Sequence, residues 1–169
     1  MRQLGFLLAA AAALGCAGMR TPYPPLPPNI KKVALRPIVN KTQQASLEDA
    51  LLGRTRDEFL RNNRYPLVPE SEADAVVFVT LTRYFVTPIQ YDYHLAPTAY
   101  KMRIAAELEM RDKQNPQKIL REERKLEGIQ IYSSSNLAGG MSEAQAQGDV
   151  WDMLARDIVD VVTAGSAPR

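Results

Sequence analysis

The chain has 169 residues, of which 46% are hydrophobic and 24% are charged, and its formal net charge is +2. A charge so close to zero does not indicate a polyanionic partner, so nucleic acid is not expected. A single cysteine and a single histidine are too few for a structural zinc site, and the chain lacks the glycine-rich phosphate loops and histidine motifs of common enzymes. We therefore expect no metal and no cofactor, and a binding or assembly role for a protein that is not an enzyme.

The first fifteen residues have the pattern of a bacterial export signal. Arg2 precedes an apolar run over residues 4–14, which is too short to cross about 30 Å of hydrocarbon as a helix. Cys16 is the only cysteine, so it has no intramolecular disulfide partner. Residues 13–16, Ala-Leu-Gly-Cys, resemble the lipobox in which the cysteine becomes the acylated first residue of a lipoprotein. We predict lipidation of Cys16; the alternative is an ordinary cleavage near Ala17 that leaves a soluble periplasmic protein.

A proline-rich stretch follows the cysteine. Position 17 is alanine, where an aspartate would resemble an inner-membrane retention signal, so the resemblance favours the outer membrane. Residues 19–29 contain five prolines, which favour an extended spacer. We predict a signal peptide over 1–15, an acylated tether over 16–29, one domain over 30–164 and a frayed end over 165–169. A proline-rich ligand for an aromatic groove is the alternative interpretation of the tether.

Hydrophobic periodicity predicts the first elements of that domain. Residues 31–39 predict a strand that Pro37 ends at a sheet edge or a bend. The Ser46 hydroxyl is expected to cap a helix. The apolar stripe of this helix is Leu47, Ala50, Leu51, Thr55, Phe59 and Leu60. A short strand over 65–68 and a longer strand from Ala75, covered on both faces, follow.

The second half of the domain is predicted to form an antiparallel meander followed by a C-terminal helix. Residues 100–111 alternate apolar with polar side chains, which is typical of a strand with one wet face. Residues 118–131 return as a charged edge strand, and a loop is expected over 86–98. Ser142 and Gln145 have the spacing of a capping box before a second amphipathic helix. The order predicts an α+β two-layer sandwich, with a mostly antiparallel sheet of four or five strands and two helices on one face.

Paired carboxylates supply the only plausible acid/base groups. Glu107 with Glu109, and Glu122 with Glu123, have the residue type for such catalysis. Their arginine and lysine neighbours, at positions 111, 121, 124 and 125, favour cross-strand ion pairs on a solvated face. A periplasmic hydrolase is therefore a distant alternative.

Residues 30–42 are predicted to form a strand that ends in a proline turn and Asn-x-Thr. Their sequence is Ile-Lys-Lys-Val-Ala-Leu-Arg-Pro-Ile-Val-Asn-Lys-Thr. With residues 62–68, 73–77 and 99–102 in the same order, they resemble the lipopolysaccharide-assembly lipoprotein family LptE, over nearly the whole mature chain. The resemblance implies a lipid-anchored, periplasm-facing protein of the outer membrane. It implies that this protein assists assembly of the β-barrel LptD, plugs its lumen and contacts lipopolysaccharide.

Lipid A carries phosphates, so a binding face needs basic donors beside apolar surface. The candidates are Arg83, Lys101 and Arg103, because they flank the predicted aromatic loop. The alternative is solvation and cross-strand pairing of these residues with Glu127 or Asp92.

Three further residues are candidate contacts with a protein partner. Asn40 lies in the motif quoted above, and Tyr91 and Tyr93 lie in the predicted loop. Tyrosine supplies contact area at little entropic cost; the alternative is loop packing against the sheet edge. A second function also remains open: a lipoprotein pilot or scaffold for another outer-membrane complex, such as a secretin, would share the anchor, spacer and small α+β body.

Overall fold

A computed structural model of the chain describes residues 23–165 as a five-stranded mixed sheet with two helices. The elements are β1 (Val33–Leu35), β2 (Val39–Asn40), α1 (Glu48–Asn62), β3 (Ala75–Tyr91), β4 (Pro97–Asp112), β5 (Ile119–Ser133) and α2 (Glu143–Thr163). The sheet order is β1-β3-β4-β5, and β2 also pairs with β3. The pairs β3 with β4 and β4 with β5 are antiparallel, whereas β1 and β2 run parallel to β3. The predicted α+β class is confirmed.

Both helices contribute to one hydrophobic core, and α2 packs against β4, β5 and α1. From the strands come Val77, Val79, Leu81, Met102, Ile104, Leu108 and Met110; from the helices come Leu51, Phe59, Val150, Leu154 and Ile158. The capping box of Ser142 and Gln145 is present at the start of α2. Within the described residues, neither helix is both long and apolar enough to cross a membrane.

The predicted first strand is two short strands. β1 and β2 pair with successive parts of β3, and Pro37 lies in the break between them. Val33 is buried but Val39 is 52% exposed, so the two valines do not share a buried face. The predicted strand over 65–68 is reduced to one bridge between Leu67 and Val33.

The expected Ser46 cap is wrong. Helix α1 begins at Glu48, its N-cap is Leu47, and no side chain caps it. Ser46 has a φ of 61°, which places it in the left-handed region and outside the capping position. The Glu48 carboxylate instead accepts one hydrogen bond from its own backbone amide and one from Asn40. Both bonds lower the pKa of Glu48, and the bond from the backbone amide has the larger effect. The predicted apolar stripe was also too wide, since Leu60 is 72% exposed.

Part of the predicted tether lies against the domain. Residues 23–30, which we call the strap, place Leu26 and Ile30 in the core. The Tyr23 hydroxyl donates to Glu123 Oε2 at 2.7 Å. Arg121, only 4% exposed, donates from Nη2 to the carbonyls of Pro24 at 2.6 Å and Ala164 at 3.1 Å. The second half of the predicted tether is therefore a strap across the end of α2 and β5, while Cys16 and the predicted signal peptide lie outside the described residues.

Candidate functional site

Strands β3 and β4 continue as a long hairpin where a loop over 86–98 was expected. Only residues 92–96 lie outside the two strands, and Pro88 pairs with Tyr100 in the ladder. Beyond Leu81, β3 has no second strand partner within residues 23–165. A proline is tolerated on such an edge because its missing N–H faces no partner strand. We call residues 83–105, with the adjacent residues 127–133 of β5, the arm.

The tip of the arm is an ordered turn with exposed rings. Asp92 Oδ1 accepts from the amides of His94 at 2.8 Å and Ala96 at 2.9 Å, which is the usual role of Asp in a turn. Tyr93 is 89% exposed, and its ring centroid lies 3.7 Å from that of His94. Tyr91 is 52% exposed. Two of the three predicted partner contacts therefore lie at the tip, and Tyr93 does not pack against the sheet.

The arm has one covered and one open face. Met102 and Ile104 point into the core beneath the helices. Alternation then places their neighbours Lys101 and Arg103 on the opposite side, which we call the open face. Three cross-strand rows form this face: Thr87, Lys101 and Ile131; Phe85, Arg103 and Ile129; and Arg83, Ala105 and Glu127.

The three predicted lipopolysaccharide-binding residues thus share one face. Arg103 Nε lies 3.2 Å from Glu127 Oε1, so this arginine makes the cross-strand pair that the alternative interpretation expected. Neither Lys101 nor Arg83 forms an ion pair with any residue in the described part of the chain. Two of the three cations therefore keep a charge that no carboxylate in that range neutralises at close contact.

Sequence reasoning missed the apolar members of the open face. Phe85 is 56% exposed, Ile131 59% and Ile129 37%. The signal was present in β5, where Ile129 and Ile131 alternate with buried or half-buried residues on a strand already predicted to be a charged edge strand. The open face consequently combines cations with bare apolar side chains in neighbouring rows.

Tyr84 connects the arm to α2 through hydrogen bonds. Its hydroxyl donates to Glu143 Oε1 at 2.7 Å and accepts from Gln147 Nε2 at 3.4 Å. Burial, followed by the hydrogen bond to Glu143, raises the pKa of Tyr84 above its ordinary value. The arm is thus held at its root on the covered side, so that the open face has a defined orientation.

Asn40 has an intrachain role. Its Nδ2 donates to the Gln44 carbonyl at 2.8 Å and to Glu48 Oε2 at 3.0 Å, and its Oδ1 accepts from the amide and the hydroxyl of Thr42. These bonds organise the turn between β2 and α1 and use the whole capacity of the amide group. Partner contact by Asn40 stays a prediction, and no proposal below depends on it.

Two of the four paired carboxylates are ion-paired. Glu122 lies 2.6 Å from Arg124 on β5, and Glu109 contacts Arg111 on β4. Both pairs lie within one strand, so the predicted cross-strand pairing is wrong for these two residues. Within residues 23–165 no group of three or more His, Cys, Asp or Glu side chains is arranged to hold a metal ion.

Solved structures with this fold include lipoproteins. The chain is similar to the hypothetical protein CT253 of Chlamydia trachomatis, with TM-score 0.56, 13% identity, and coverage of 79% of this chain and 96% of that one. It is similar to a minor lipoprotein of Acinetobacter baumannii, with TM-score 0.53, 20% identity and coverage of 80% and 94%. It is also similar to PelC of Paraburkholderia phytofirmans, a dodecamer, with TM-score 0.52, 13% identity and coverage of 84% and 94%. No family model and no curated protein matches the sequence. At these identities the likeness concerns the fold.

Proposed function

We propose that this protein is an outer-membrane lipoprotein that acts, without catalysis, as the partner of a large β-barrel of the LptD type in lipopolysaccharide transport. The observation that carries the proposal is the open face of the arm, where Lys101 and Arg83 lie beside exposed Phe85 and Ile131 and form no ion pair within residues 23–165. The predicted lipidation of Cys16 and the resemblance to LptE supply the location and the class of partner.

The chemistry of the open face suits an anionic amphiphile. Phosphates accept charge-assisted hydrogen bonds from ammonium and guanidinium groups, and acyl chains lose contact with water on Phe85 and the two isoleucines. The rows bring both kinds of side chain within one cross-strand spacing, about 5 Å. Lipopolysaccharide carries both kinds of group on one molecule.

The shape suits a barrel partner. The lumen of a large transmembrane barrel is polar and wet, so a body that enters it needs a mixed, charged surface and a stable core. The arm extends such a surface away from the helices, and Tyr91 and Tyr93 at its tip supply contact area for a barrel wall.

A pull-down tests the partner. The acylated protein is purified in mild detergent from its native outer membrane, and the bound chains are identified by mass spectrometry. The proposal expects a large LptD-like barrel in near-equal amount. A different oligomer, or no barrel, would contradict it.

Lipid binding is tested by a double substitution on the open face. Arg83→Gln with Lys101→Gln should weaken lipopolysaccharide binding by roughly tenfold, because two charge-assisted contacts are lost from an exposed site. The matched control is Arg56→Gln with Arg61→Gln on α1, which removes the same charge elsewhere. Equal losses in both variants would show that net charge, not the open face, governs binding.

One observation favours a second candidate. PelC has this fold and is a dodecamer, so a self-assembled scaffold for another outer-membrane complex is the alternative. Light scattering of the acylated protein in detergent distinguishes the two. A ring of many copies supports the scaffold, and a single copy that pairs with a barrel supports the first candidate.

A further inference from the structure

Four exposed lysines meet at the end of the sheet opposite the arm's tip. We call Lys31, Lys32, Lys113 and Lys118 the basic pole. Asp74 holds three of them together, since its Oδ2 accepts the backbone amides of Lys31 and Lys32, both at 2.9 Å, and its carbonyl accepts the amide of Lys113 at 2.9 Å. Lys118 joins the group across the turn between β4 and β5, where its carbonyl accepts the amide of Asp112 at 3.1 Å.

The basic pole has an excess of positive charge. None of its four lysines forms an ion pair within residues 23–165. Of the nearby acids, Glu70 is paired with Arg36 at 2.6 Å, which leaves Glu72, Asp74 and Asp112 against four ammonium groups. The surface can therefore attract anions without first breaking an ion pair of its own.

The strap brings the predicted anchor to the same end. It runs from Tyr23, bound to Glu123 near the start of β5, to Ile30, which directly precedes the basic pole. Only six residues lie between Cys16 and Tyr23, so the predicted acylated cysteine is at most about 25 Å from Tyr23.

The tip of the arm is much farther away. Glu122, beside the residue that binds Tyr23, is opposite Glu109, and Glu109 is opposite Phe78. Tyr91 then lies thirteen positions after Phe78 on β3, which corresponds to roughly 43 Å of strand. Tyr23 and the tip consequently belong to opposite ends of the described structure, and the chain from Cys16 to Tyr23 is too short to bring the predicted anchor to the tip.

We propose that the basic pole faces the bilayer and contacts the headgroups of anionic phospholipids, so that the arm points away from the membrane. This inference depends on the lipid anchor in the proposed function. A single anchor leaves a protein free to rotate on the surface, and a polybasic patch beside it supplies a second, orienting attraction. This orientation belongs to the free lipoprotein, and the arm enters a barrel of the same membrane only after the protein has rotated on its anchor.

The test uses the full acylated protein in lipid vesicles. Because acylation consumes the only natural cysteine, one introduced cysteine can be labelled selectively. Gln117→Cys lies in the turn between β4 and β5, beside the basic pole, and Ala96→Cys lies at the arm's tip. A fluorescent donor at either position is combined with an acceptor on the lipid headgroups. The vesicles contain phosphatidylcholine alone, or phosphatidylcholine with phosphatidylglycerol.

We expect at least twofold stronger energy transfer from position 117 than from position 96 in the vesicles that contain phosphatidylglycerol. High salt should reduce the difference, since it screens exposed charges. Changing all four lysines of the basic pole to glutamine should abolish the effect of phosphatidylglycerol at position 117. The control variant changes Lys41, Arg56, Arg61 and Arg156 to glutamine, which removes four exposed charges from other surfaces and should preserve the effect.

Two results would overturn the proposal. One is equal transfer from the two positions in the phosphatidylglycerol vesicles, and the other is an equal loss in the basic-pole and control variants. Mass spectrometry separates this failure from that of the proposed function. A protein without acyl chains contradicts the anchor and everything that depends on it, whereas an acylated protein with no preferred orientation contradicts the basic pole alone.

Discussion

Phe78 and Phe85 lie on the same strand but in different surroundings. Phe78 belongs to the first part of β3, where β1 and β2 pair with the edge of β3 that does not face β4. The guanidinium groups of Arg36 and Arg111 lie 5.0 and 5.6 Å from the ring centroid of Phe78. Phe85 belongs to the arm and is 56% exposed. One hairpin thus provides a covered root that stabilises the fold and an uncovered arm that remains available for binding.

The largest expected effect is a loss of stability caused by a substitution in the root, where the same kind of substitution in the arm should cost little. Leu108→Ala, at a fully buried position of β4, should lower the free energy of unfolding by about 3 kcal/mol, because it removes packed methyl groups and leaves a cavity. Phe85→Ala on the open face should change it by less than about 0.5 kcal/mol. Urea denaturation measures both. A Phe85→Ala variant as unstable as Leu108→Ala would contradict the comparison.

Substitution of Gly128 tests how closely α2 packs against β5. A Cβ at this position would lie 2.6 Å from Val150 Cγ1, so Gly128→Ala should destabilise the protein by about 1–3 kcal/mol through overpacking. The control is Gly53→Ala in α1, where no atom lies within 4 Å of the new Cβ. There the substitution should stabilise the helix by about 0.5–1 kcal/mol. Thermal unfolding of the two variants should therefore shift in opposite directions.

Substitution of Arg121 tests whether this residue holds the strap against the domain. Arg121→Met leaves the Pro24 and Ala164 carbonyls without their donor, which should cost about 1–2 kcal/mol. Hydrogen exchange should accelerate over residues 23–31 while the arm is unaffected. Arg124→Met, at an exposed position of the same strand, is the control. Unchanged exchange in the strap would show that Arg121 does not hold it.

The strap should also respond to pH at both extremes. The hydrogen bond from Tyr23 lowers the pKa of Glu123, so its stabilisation is present above the ordinary glutamate range and is lost as the pH falls through the lowered value. Burial, and then the bond to Glu123, raises the pKa of Tyr23 to about 12, so its stabilisation is complete below pH 10 and is lost as the pH rises through about 12. Tyr23→Phe should weaken both dependences in hydrogen exchange of residues 23–31. An identical pH profile in this variant would contradict the assignment.

The smallest effect is expected at the one ion pair on the open face. Arg103→Gln removes the 3.2 Å contact with Glu127, and both side chains are more than a third exposed, so stability should change by less than about 0.5 kcal/mol. Urea denaturation provides the measurement. A loss above 1 kcal/mol would indicate that the open face is structural.

Local patterns explain which parts of the fold could be predicted. Alternation over residues 100–111 predicted β4, and the spacing of Ser142 and Gln145 predicted the start of α2, because both depend on neighbouring residues. The predicted loop over residues 86–98 was too long, because β3 continues through Pro88, and a proline is tolerated in a strand that has a partner on one side only. The strap was unpredictable from local sequence, since Arg121 reaches Pro24 across 97 positions.

The candidate site was predictable to a similar extent. Alternation correctly placed Lys101 and Arg103 on one face, and the structure adds Arg83 to it. Which of these cations would be paired depended on the register between β4 and β5, which no local pattern specifies. Phe85, Ile129 and Ile131 were missed because an apolar residue in a strand is ordinarily assigned to the core.

The tip of the arm is proposed to contact a β-barrel partner, and site-specific photocrosslinking in cells tests this contact most directly. A photoreactive residue is placed at Tyr93 at the tip, which is 89% exposed, or at Leu60, which is 72% exposed on α1. We predict an adduct with a large outer-membrane β-barrel from position 93 and none from position 60. A barrel adduct from position 60 alone, or only adducts with other proteins from position 93, would contradict the proposed contact.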